Sequence, residues 1–270
     1  MDGTLLDARG QVHPRDRQAI AHLLSKGIPV TLCTGRMYSG TRAIAEELGL
    51  DAPVACVDGC HVVRAQTHED LLRLSIQQNA KSVLHGLLSK MNLAVFAFSG
   101  DIIVHDARGS PYTDYLRTWS NQMNRVRDMF AASIWEHFED LTSLVVVGSQ
   151  SDTDVVVQGI TAVCGDELQL AHFPLLRAPL ANHWVVLIRR AGVNKGTAVT
   201  WLADHYKVDL SEVVVVGDWV NDMPMFAVAG RSFVMGQAPP EVKAAAQYEL
   251  RATVHTGGAI EEAAERCGLI

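Results

Sequence analysis

The sequence predicts an α/β fold: a doubly wound core with a parallel sheet, and an α+β module inserted into it. Near the start, helical patterns at 14–25 and 38–48 alternate with apolar, β-branched runs at 28–33 and 53–57. Strand, helix and strand at this spacing are typical of a parallel sheet with right-handed crossovers. The alternation resumes after residue 184, whereas the stretch between is less regular. One outer domain interrupted by an insertion accounts for these patterns.

In the first outer segment, a helix is predicted over Pro14–Ser25, because Pro lies at its start and Gly27 follows its end. A strand is predicted over Ile28–Cys33, with a proline tolerated because it lies at the strand's beginning. A second helix is predicted over Tyr38–Leu48, and a second strand over Pro53–Val57.

The insertion is predicted to span residues 63–183, between outer segments 1–62 and 184–270. No strand within it ends in a carboxylate flanked by glycine, as strands of the outer segments do. Its clearest predicted elements are two strands and two helices: Leu93–Phe98, Leu144–Val147, Asn79–Lys90 and Asp152–Cys164.

The second outer segment is predicted to return to the core sheet. Its predicted strands are Trp184–Ile188, Val213–Val216 and Ser232–Met235. Its predicted helices are Lys195–Tyr206, Met223–Ala229, Pro240–Tyr248 and Ala259–Cys267.

The composition is that of a globular protein, with 270 residues, 48% hydrophobic residues and a formal net charge of -7. A mildly acidic chain is a poor nucleic-acid binder, because phosphate contacts need a basic face. No window is long and apolar enough for a membrane span, and no signal peptide opens the chain. The five cysteines include no Cys-x-x-Cys pair, so we expect reduced thiols and a cytoplasmic protein.

Four polar groups fall at predicted strand ends or helix starts. Each alone has a plain structural explanation: a tight turn, a helix cap, a surface lysine or a solvated loop. In open α/β sheets, however, ligands bind where strands end. Their joint occurrence in this order therefore favours a functional site composed of Asp2-Gly3-Thr4, Thr34-Gly35-Arg36, Lys195, and Asp218 with Asn221-Asp222.

These residue types suit phosphoryl transfer. A phosphate monoester is multiply negative, so an attacking carboxylate must be shielded by a metal ion and a cation. We expect Asp218 to bind Mg²⁺ directly, and Asp222 to bind it directly or through water. We expect Lys195 to hold the phosphoryl group, and Asp2 to act as general acid and then as general base.

Phosphoryl oxygens are expected to bind Thr34 and the neighbouring backbone N–H groups. The predicted substrate-binding set is therefore Thr34, Gly35, Arg36, Lys195 and Asn221. The partner is expected to be a small phosphorylated metabolite, and the sequence does not indicate an oligomeric state.

This constellation resembles the haloacid dehalogenase-like phosphatases, and among them the Cof-type group with a large inserted α/β cap. The resemblance covers both outer segments and is carried by Met1-Asp2-Gly3-Thr4, Thr34-Gly35-Arg36, Asn194-Lys195-Gly196, Gly217-Asp218 to Asp222, and Gly236-Gln237-Ala238. It implies a Rossmann-like core, a cap that closes over the site and selects the substrate, and Mg²⁺ bound also by the backbone carbonyl of the residue matching Asp2.

The chain departs from the family at its first motif, Asp-x-Asp-Gly-Thr. The family's nucleophile lies two residues before Asp2, a position that precedes residue 1. One hypothesis is that the natural chain begins upstream, with an apolar strand of about five residues and the missing Asp. The alternative hypotheses are a catalytically inactive protein that binds phosphorylated ligands, and a phosphomutase.

Two smaller departures bear on the substrate. Asp58-Gly59 lies where the family usually has Asn-Gly, which adds negative charge near the mouth of the predicted site. Trp219 lies where a small residue is common, and is expected to pack within its loop or to contact substrate or cap. The function that the sequence predicts is Mg²⁺-dependent hydrolysis of a small phosphate monoester.

Overall fold

The structure is a computed structural model, and it describes residues 1–175 and 180–270. The chain divides into two compact units. The core unit comprises residues 1–35, 42–71 and 194–270, and the inserted unit comprises residues 36–41 and 72–193.

The first part of the core unit contains two helices and a three-stranded sheet in the order β1-β2-β3, in which β1 and β2 are antiparallel. These elements are α1 (Pro14–Ser25), α2 (Arg42–Glu47), β1 (Pro53–Cys56), β2 (His61–Arg64) and β3 (Glu69–Arg73). Helix α1 has its predicted bounds and buries Ala19, Ile20 and Leu23 on one face.

Two elements predicted in this part are wrong or shortened. Residues 28–33 do not form a strand, since only Cys33 makes an isolated parallel bridge, to Ala55. The helix predicted over Tyr38–Leu48 is interrupted at Thr41, so that a 3-10 turn over Tyr38–Gly40 precedes the short helix α2. A strand needs partners along its length, and apolar composition alone does not provide them.

The inserted unit follows in the chain and is built on one six-stranded sheet in the order β6-β5-β4-β7-β9-β8. Its elements are α3 (Gln78–Leu88), β4 (Ala94–Ser99), β5 (Ile102–His105), α4 (Thr113–Leu116), β6 (Met123–Arg125), α5 (Ala132–Trp135), β7 (Leu141–Gly148), α6 (Gln150–Cys164), β8 (Leu168–Pro174) and β9 (Trp184–Arg190).

The centre of the inserted unit is strand β7, in which all eight residues are buried. Helices α3 and α6 bury side chains spaced four residues apart, as an amphipathic helix on a sheet requires. These are Ala80, Leu84 and Leu88 on α3, and Val156, Ile160 and Cys164 on α6. They belong to one hydrophobic cluster with the apolar residues of β4, β7 and β9.

Strand β9 lies in the sheet of the inserted unit, although the sequence predicted it to be part of the outer domain. The sequence placed residues 184–270 in the outer domain, but Trp184–Arg190 pairs along its whole length with β8 and in part with β7. Residues 184–193 therefore belong to the inserted unit, as do residues 36–41, whereas residues 63–71 belong to the core unit. Hydrogen-bond partners decide where a strand belongs, and an apolar run reveals only that it is buried.

The second part of the core unit contains a three-stranded parallel sheet in the order β10-β11-β12. Its elements are α7 (Lys195–Tyr206), β10 (Val214–Gly217), α8 (Met223–Val228), β11 (Arg231–Val234), α9 (Pro240–Ala245), β12 (Tyr248–Glu249) and α10 (Ala259–Arg266). Helix α7 has its predicted bounds, with a capping box at Asn194 and a left-handed residue, Lys207, at its end.

The predicted α/β class with a parallel core sheet is confirmed. Across residues 1–175 and 180–270, the helices are too short or too polar for any of them to span a membrane. Within the described residues, no disulfide joins any of the five cysteines.

Candidate functional site

The first turn of the chain approaches the loop that follows β10. The carbonyl of Met1 accepts hydrogen bonds from the N–H groups of Leu5 (2.9 Å) and Leu6 (3.0 Å), which closes the turn. Gly3 has a φ of +75°, and a Cβ on it would lie 2.2 Å from Oδ2 of Asp218. Only glycine permits both this backbone conformation and this approach. Thr4 then donates its hydroxyl hydrogen to Oδ1 of Asp218.

Asp222 organises the loop after β10. Its Oδ2 accepts the N–H groups of Asp218 (2.8 Å) and Trp219 (3.0 Å), while its Oδ1 accepts the Lys195 ammonium (2.6 Å). A Cβ on Gly217 would lie 2.6 Å from Cγ of Asp222, so the strand must end in glycine for the carboxylate to fold back over it. The loop thereby holds the Asp218 backbone in a defined position.

Lys195 is a buried cation held between carboxylates. As the first residue of α7 it is only 4% exposed. Its Nζ lies 2.6 Å from Oδ1 of Asp222 and 3.9 Å from Oδ1 of Asp58. A buried ammonium is costly unless it is paired, and these two carboxylates provide the pairing.

Asp58 connects the other predicted phosphate-binding residues to this lysine. It is buried, with a φ of 51°, in the 3-10 turn after β1. Its Oδ1 accepts the side-chain amide of Asn221 (2.8 Å), and its N–H donates to the carbonyl of Thr34 (2.9 Å). Gly35 lies so close that a Cβ would be 3.4 Å from the same carboxylate oxygen.

The titration of these groups follows from burial and charge. Burial raises the pKa of Asp218, and the neighbouring Asp222 carboxylate raises it further. Burial alone would raise the pKa of Asp222, but the Lys195 ammonium outweighs it and lowers that pKa. Burial opposes the charged form of Lys195, yet Asp222 and Asp58 raise its pKa above the ordinary range.

Most of the predicted site residues of the core unit form one connected group. Thr34, Gly35, Lys195 and Asn221 meet at or beside Asp58, and Lys195 connects them through Asp222 to the backbone of Asp218. Asp2 lies in the same first turn, with an exposed side chain.

Arg36 belongs to the inserted unit, where its guanidinium donates to the carbonyl of Gly40 (3.1 Å). Its role in substrate binding stays a prediction.

Two residues of the group, Asp58 and Gln237, were absent from the predicted site set, and Thr4 was included only as part of the Asp2-Gly3-Thr4 turn, without a role of its own. Gln237 donates from its side-chain amide to the carbonyl of Gly3 (2.6 Å) and accepts the N–H of Val254 (3.1 Å). The sequence did contain a signal for Thr4 and Asp58, since each lies next to a glycine in a turn of the core unit. Thr4 lies in the first turn of the chain, and Asp58 lies in the turn after β1. Gln237 lies in a segment that the sequence assigned only by resemblance.

The group offers carboxylates but no ready-made metal cage. In the part of the chain that the structure describes, no three or more His, Cys, Asp or Glu side chains are gathered closely enough to hold a metal ion. Asp222 has both oxygens engaged, by Lys195 and by two backbone N–H groups. Asp2, Asp218 and Asp222 therefore stay predicted metal ligands.

Comparison with known proteins finds relatives that align with most of this chain. The family model of haloacid dehalogenase-like hydrolases matches residues 1–261. The chain is 26% identical over 278 residues to 5-amino-6-(5-phospho-D-ribitylamino)uracil phosphatase YwtE of Bacillus subtilis, covering 95% of this chain and 93% of that protein. It is 25% identical over 246 residues to the HMP-PP phosphatase of Cronobacter sakazakii, covering 90% of this chain and 85% of that protein.

Among solved structures, a haloacid dehalogenase-like hydrolase from Bacteroides thetaiotaomicron superposes with a TM-score of 0.83. The superposition covers 98% of this chain and 96% of that one, at 20% sequence identity. At this identity the likeness shows a shared fold.

Proposed function

The chain belongs to the haloacid dehalogenase-like hydrolase family, and we propose that this phosphoric monoester hydrolase uses Mg²⁺ to cleave small phosphorylated metabolites. The observation that carries the proposal is the buried Lys195 ammonium, held by Asp222 and Asp58 beside the loop of Asp218. A fixed cation in a water-poor site is worth more to a multiply charged phosphoryl group than one in solvent.

The proposed Mg²⁺ ligands are oxygen donors of the core unit. Asp218 is a half-buried carboxylate whose pKa is raised by partial burial and by a carboxylate neighbour, so a divalent cation there would relieve repulsion between the two acids. Asp218 would be a direct ligand, with Asp222 binding directly or through water and Asp2 completing the set through its backbone carbonyl. Hard oxygen ligands of this kind suit Mg²⁺. When bound, the ion would neutralise charge on the phosphoryl oxygens.

The remaining groups have separate roles in the proposal. The exposed Asp2 carboxylate protonates the leaving oxygen and then takes a proton from the hydrolytic water. Lys195 holds the phosphoryl oxygens, assisted by the Thr34 hydroxyl and the Gly35 N–H. Asp58 and Asn221 fix one another by a 2.8 Å hydrogen bond and so hold the Lys195 and Thr34 side of the site.

The substrate class is proposed from relatives. The two curated relatives are named as phosphatases of a phosphoribitylamino-uracil and of HMP-PP, which are small phosphorylated metabolites. We extend that class, sugar phosphates or phosphorylated cofactors, to this chain. The inserted unit, with Arg36, is proposed to select among them, and cysteines that form no disulfide within the described residues favour a reducing, cytoplasmic setting.

The covalent step is assigned to an aspartate directly before Met1, where the family motif has its nucleophile. Attack by that carboxylate on phosphorus would form an aspartyl phosphate and release the alcohol, which receives its proton from Asp2. Water would then attack phosphorus, regenerate the carboxylate and release inorganic phosphate.

The test compares three proteins: the 270-residue chain, the chain extended upstream by an apolar strand and Asp, and the same extension ending in Asn. Each is assayed for phosphate release from p-nitrophenyl phosphate with Mg²⁺ and with a chelator. We expect Mg²⁺-dependent release from the Asp-extended protein, and a rate at least about 10³-fold lower from the other two. Equal activity in all three would overturn the covalent mechanism.

The other outcomes identify the alternative functions. An inert Asp-extended protein that still binds Mg²⁺ and phosphorylated ligands, measured by calorimetry, would make the chain a binding protein. Interconversion of sugar phosphates with little free phosphate would make it a phosphomutase.

A further inference from the structure

A polar cavity lies in the inserted unit, at the end of the sheet where β4 and β9 begin and β7 ends. Its volume is about 310 Å³, close to the lower limit of ligand pockets, which span about 300–1,000 Å³. The strands meet there through the pairs Ala94 with Val147 and Gly148 with Trp184. Among the described residues that line this cavity, none is proposed for phosphoryl transfer, so it is a separate candidate site.

Four ionisable side chains line the cavity, and they come from three separate segments. Arg108 and Tyr112 belong to the 3-10 segment over Ala107–Tyr112, Asp152 belongs to the first turn of α6, and His183 directly precedes β9. The fold therefore places one cation and one carboxylate in the same small space. The phenol and the imidazole beside them can each donate or accept a hydrogen bond.

Arg108 is held in place by other residues and keeps donors for a ligand. Its Nε donates to Oδ1 (3.1 Å) and Oδ2 (3.0 Å) of the buried Asp106, its Nη2 donates to the same carboxylate, and its Nη1 donates to the carbonyl of Met91 (3.4 Å). Its Cζ lies 5.2 Å from the centroid of the Phe130 ring. Since a guanidinium has five N–H donors, these contacts with described residues leave one hydrogen on each terminal nitrogen for a ligand.

Asp152 supplies the opposite charge. Its Oδ2 accepts the Ser149 hydroxyl (2.6 Å), and its N–H donates to the same hydroxyl (3.2 Å). Its Oδ1 makes no hydrogen bond with the residues that the structure describes. A simple anion in the cavity would meet this carboxylate, while Asp106 already offsets the charge of Arg108. The charges of the cavity therefore disfavour a ligand that is only an anion.

Tyr112 and His183 pack edge to face, with ring centroids 5.4 Å apart. Burial raises the pKa of the Tyr112 hydroxyl, so it stays protonated at neutral pH. The backbone of His183 is anchored by the carbonyl of Leu180 (2.9 Å) and the N–H of Leu175 (2.8 Å). Its Nδ1 is buried, and within residues 1–175 and 180–270 no group hydrogen-bonds to it. Because buried polar atoms are nearly always paired, this nitrogen indicates a place for a ligand atom.

We propose that this cavity binds a small zwitterion that carries a carboxylate and an ammonium group, as free α-amino acids do. The ligand's carboxylate accepts the two remaining N–H groups of Arg108, whose planar fork matches its geometry. The ligand's ammonium pairs with Oδ1 of Asp152, and the Tyr112 hydroxyl and His183 Nδ1 complete the hydrogen bonds. Each charge of the ligand then meets its opposite, whereas a simple anion or cation would face a like charge.

Binding to the whole 270-residue chain, measured by calorimetry, tests the proposal. Each proteinogenic amino acid is offered in turn, at up to about 10 mM. We expect at least one to bind in a 1:1 ratio with a dissociation constant below about 1 mM. Acetate, methylamine, inorganic phosphate and glucose lack one or both of the required charges, and should each bind at least about tenfold more weakly.

Variants locate the site. Asp152→Asn should weaken binding at least about tenfold, because it removes a charge-assisted hydrogen bond, and Tyr112→Phe should weaken it about threefold. The matched control is Asp154→Asn, since Asp154 lies on the same helix, outside the cavity, where it contacts His172 (3.7 Å). This control should bind as the unmodified chain does. The ligand should slow amide exchange at residues 147–152 and leave that of β10 unchanged.

Any of four results would overturn the proposal. No amino acid binds at the highest concentration, or one of the four partial probes binds as tightly as the best amino acid. Asp152→Asn and Asp154→Asn bind alike, or protection from exchange appears only in the core unit. Phosphatase activity is not measured in any of these experiments, so their outcome is independent of the proposed function.

Discussion

The inserted unit has one continuous sheet with a packed core, whereas the core unit has two separate sheets and a large cavity. In the inserted unit, one continuous six-stranded sheet passes through β7, whose residues are all buried, and one hydrophobic cluster covers it. In the core unit, the two three-stranded sheets are separate, and a cavity of about 620 Å³ lies beside residues 28–33 and β10. Two smaller clusters contain many of the buried apolar residues that follow position 194.

The difference follows from how each sheet is assembled. Strands β4 and β5 form a hairpin, β4 also pairs with β7, β7 with β9 and β9 with β8, so that each of these interior strands has a neighbour on both sides. In the core unit, β10 is the first strand of its sheet and pairs on one side with β11, and residues 28–33 make one isolated bridge, to Ala55. The inserted unit is therefore built for stability, whereas the core unit holds its charged groups where strands end.

The largest expected difference in stability between the two units concerns one buried lysine in each. Lys195 and Lys81 are each 4% exposed, but Lys195 pairs with carboxylates, whereas Lys81 donates to the carbonyl of Phe138 (2.9 Å). Lys195→Met leaves buried carboxylates unpaired and should cost the core unit about 3–5 kcal/mol. Lys81→Met leaves neutral acceptors and should cost the inserted unit about 1–3 kcal/mol. Urea titration of each unit measures both; equal losses would contradict the difference in pairing.

Two glycines with positive φ provide the next test. Gly3 (φ +75°) faces Asp218, whereas around Gly100 (φ +55°), in the β4–β5 turn, the described residues leave the space within 4 Å of a Cβ position open. Both alanine variants incur the cost of a left-handed backbone, about 1–2 kcal/mol. Gly3→Ala must also displace a carboxylate and should lose about 2–4 kcal/mol in all. Urea titration measures the loss of unfolding free energy in each variant, and equal losses would contradict the close approach of Gly3 to Asp218.

A matched pair of valines tests the cavity itself. Val146 in β7 is fully buried in the cluster of the inserted unit, whereas Val216 in β10 lines the cavity and is half-buried. Val146→Ala should lose about 2 kcal/mol, and Val216→Ala less than about 1 kcal/mol, because its methyl groups already face open space. Urea titration of both variants measures the losses, and equal losses at the two positions would contradict the open space beside Val216.

The smallest expected effect is on pH dependence. Burial lowers the pKa of Lys81 below its ordinary value of 10.5, so the stability of the inserted unit should rise as pH increases toward that value. Although burial opposes it, pairing raises the pKa of Lys195, so its contribution is complete below 10.5 and is lost as pH rises above it. Between about pH 9 and about pH 11, the free energy of unfolding should therefore rise for the inserted unit and fall for the core unit. Lys81→Met and Lys195→Met should each flatten the corresponding slope, and parallel slopes would refute the assignment.

Much of the local structure could be predicted from sequence. The bounds of Pro14–Ser25 and Lys195–Tyr206 are those of α1 and α7, because proline, glycine and capping side chains mark helix ends within a few residues. The order of Gly-flanked polar residues likewise predicted a group in which Lys195 and Asp222 lie together, 2.6 Å apart.

Where strands belong, and what each polar group contacts, was decided by tertiary structure. Trp184–Ile188 is an apolar run in any context, and only the pairing of Trp184–Arg190 with β7 and β8 places it in the inserted unit. Residues 28–33 have strand composition, but they line a cavity and make one bridge. Asp58 became part of the site through contacts with residues more than a hundred positions away, Lys195 and Asn221. Local sequence determines backbone preference and residue chemistry, whereas pairing across such distances depends on the whole folded chain.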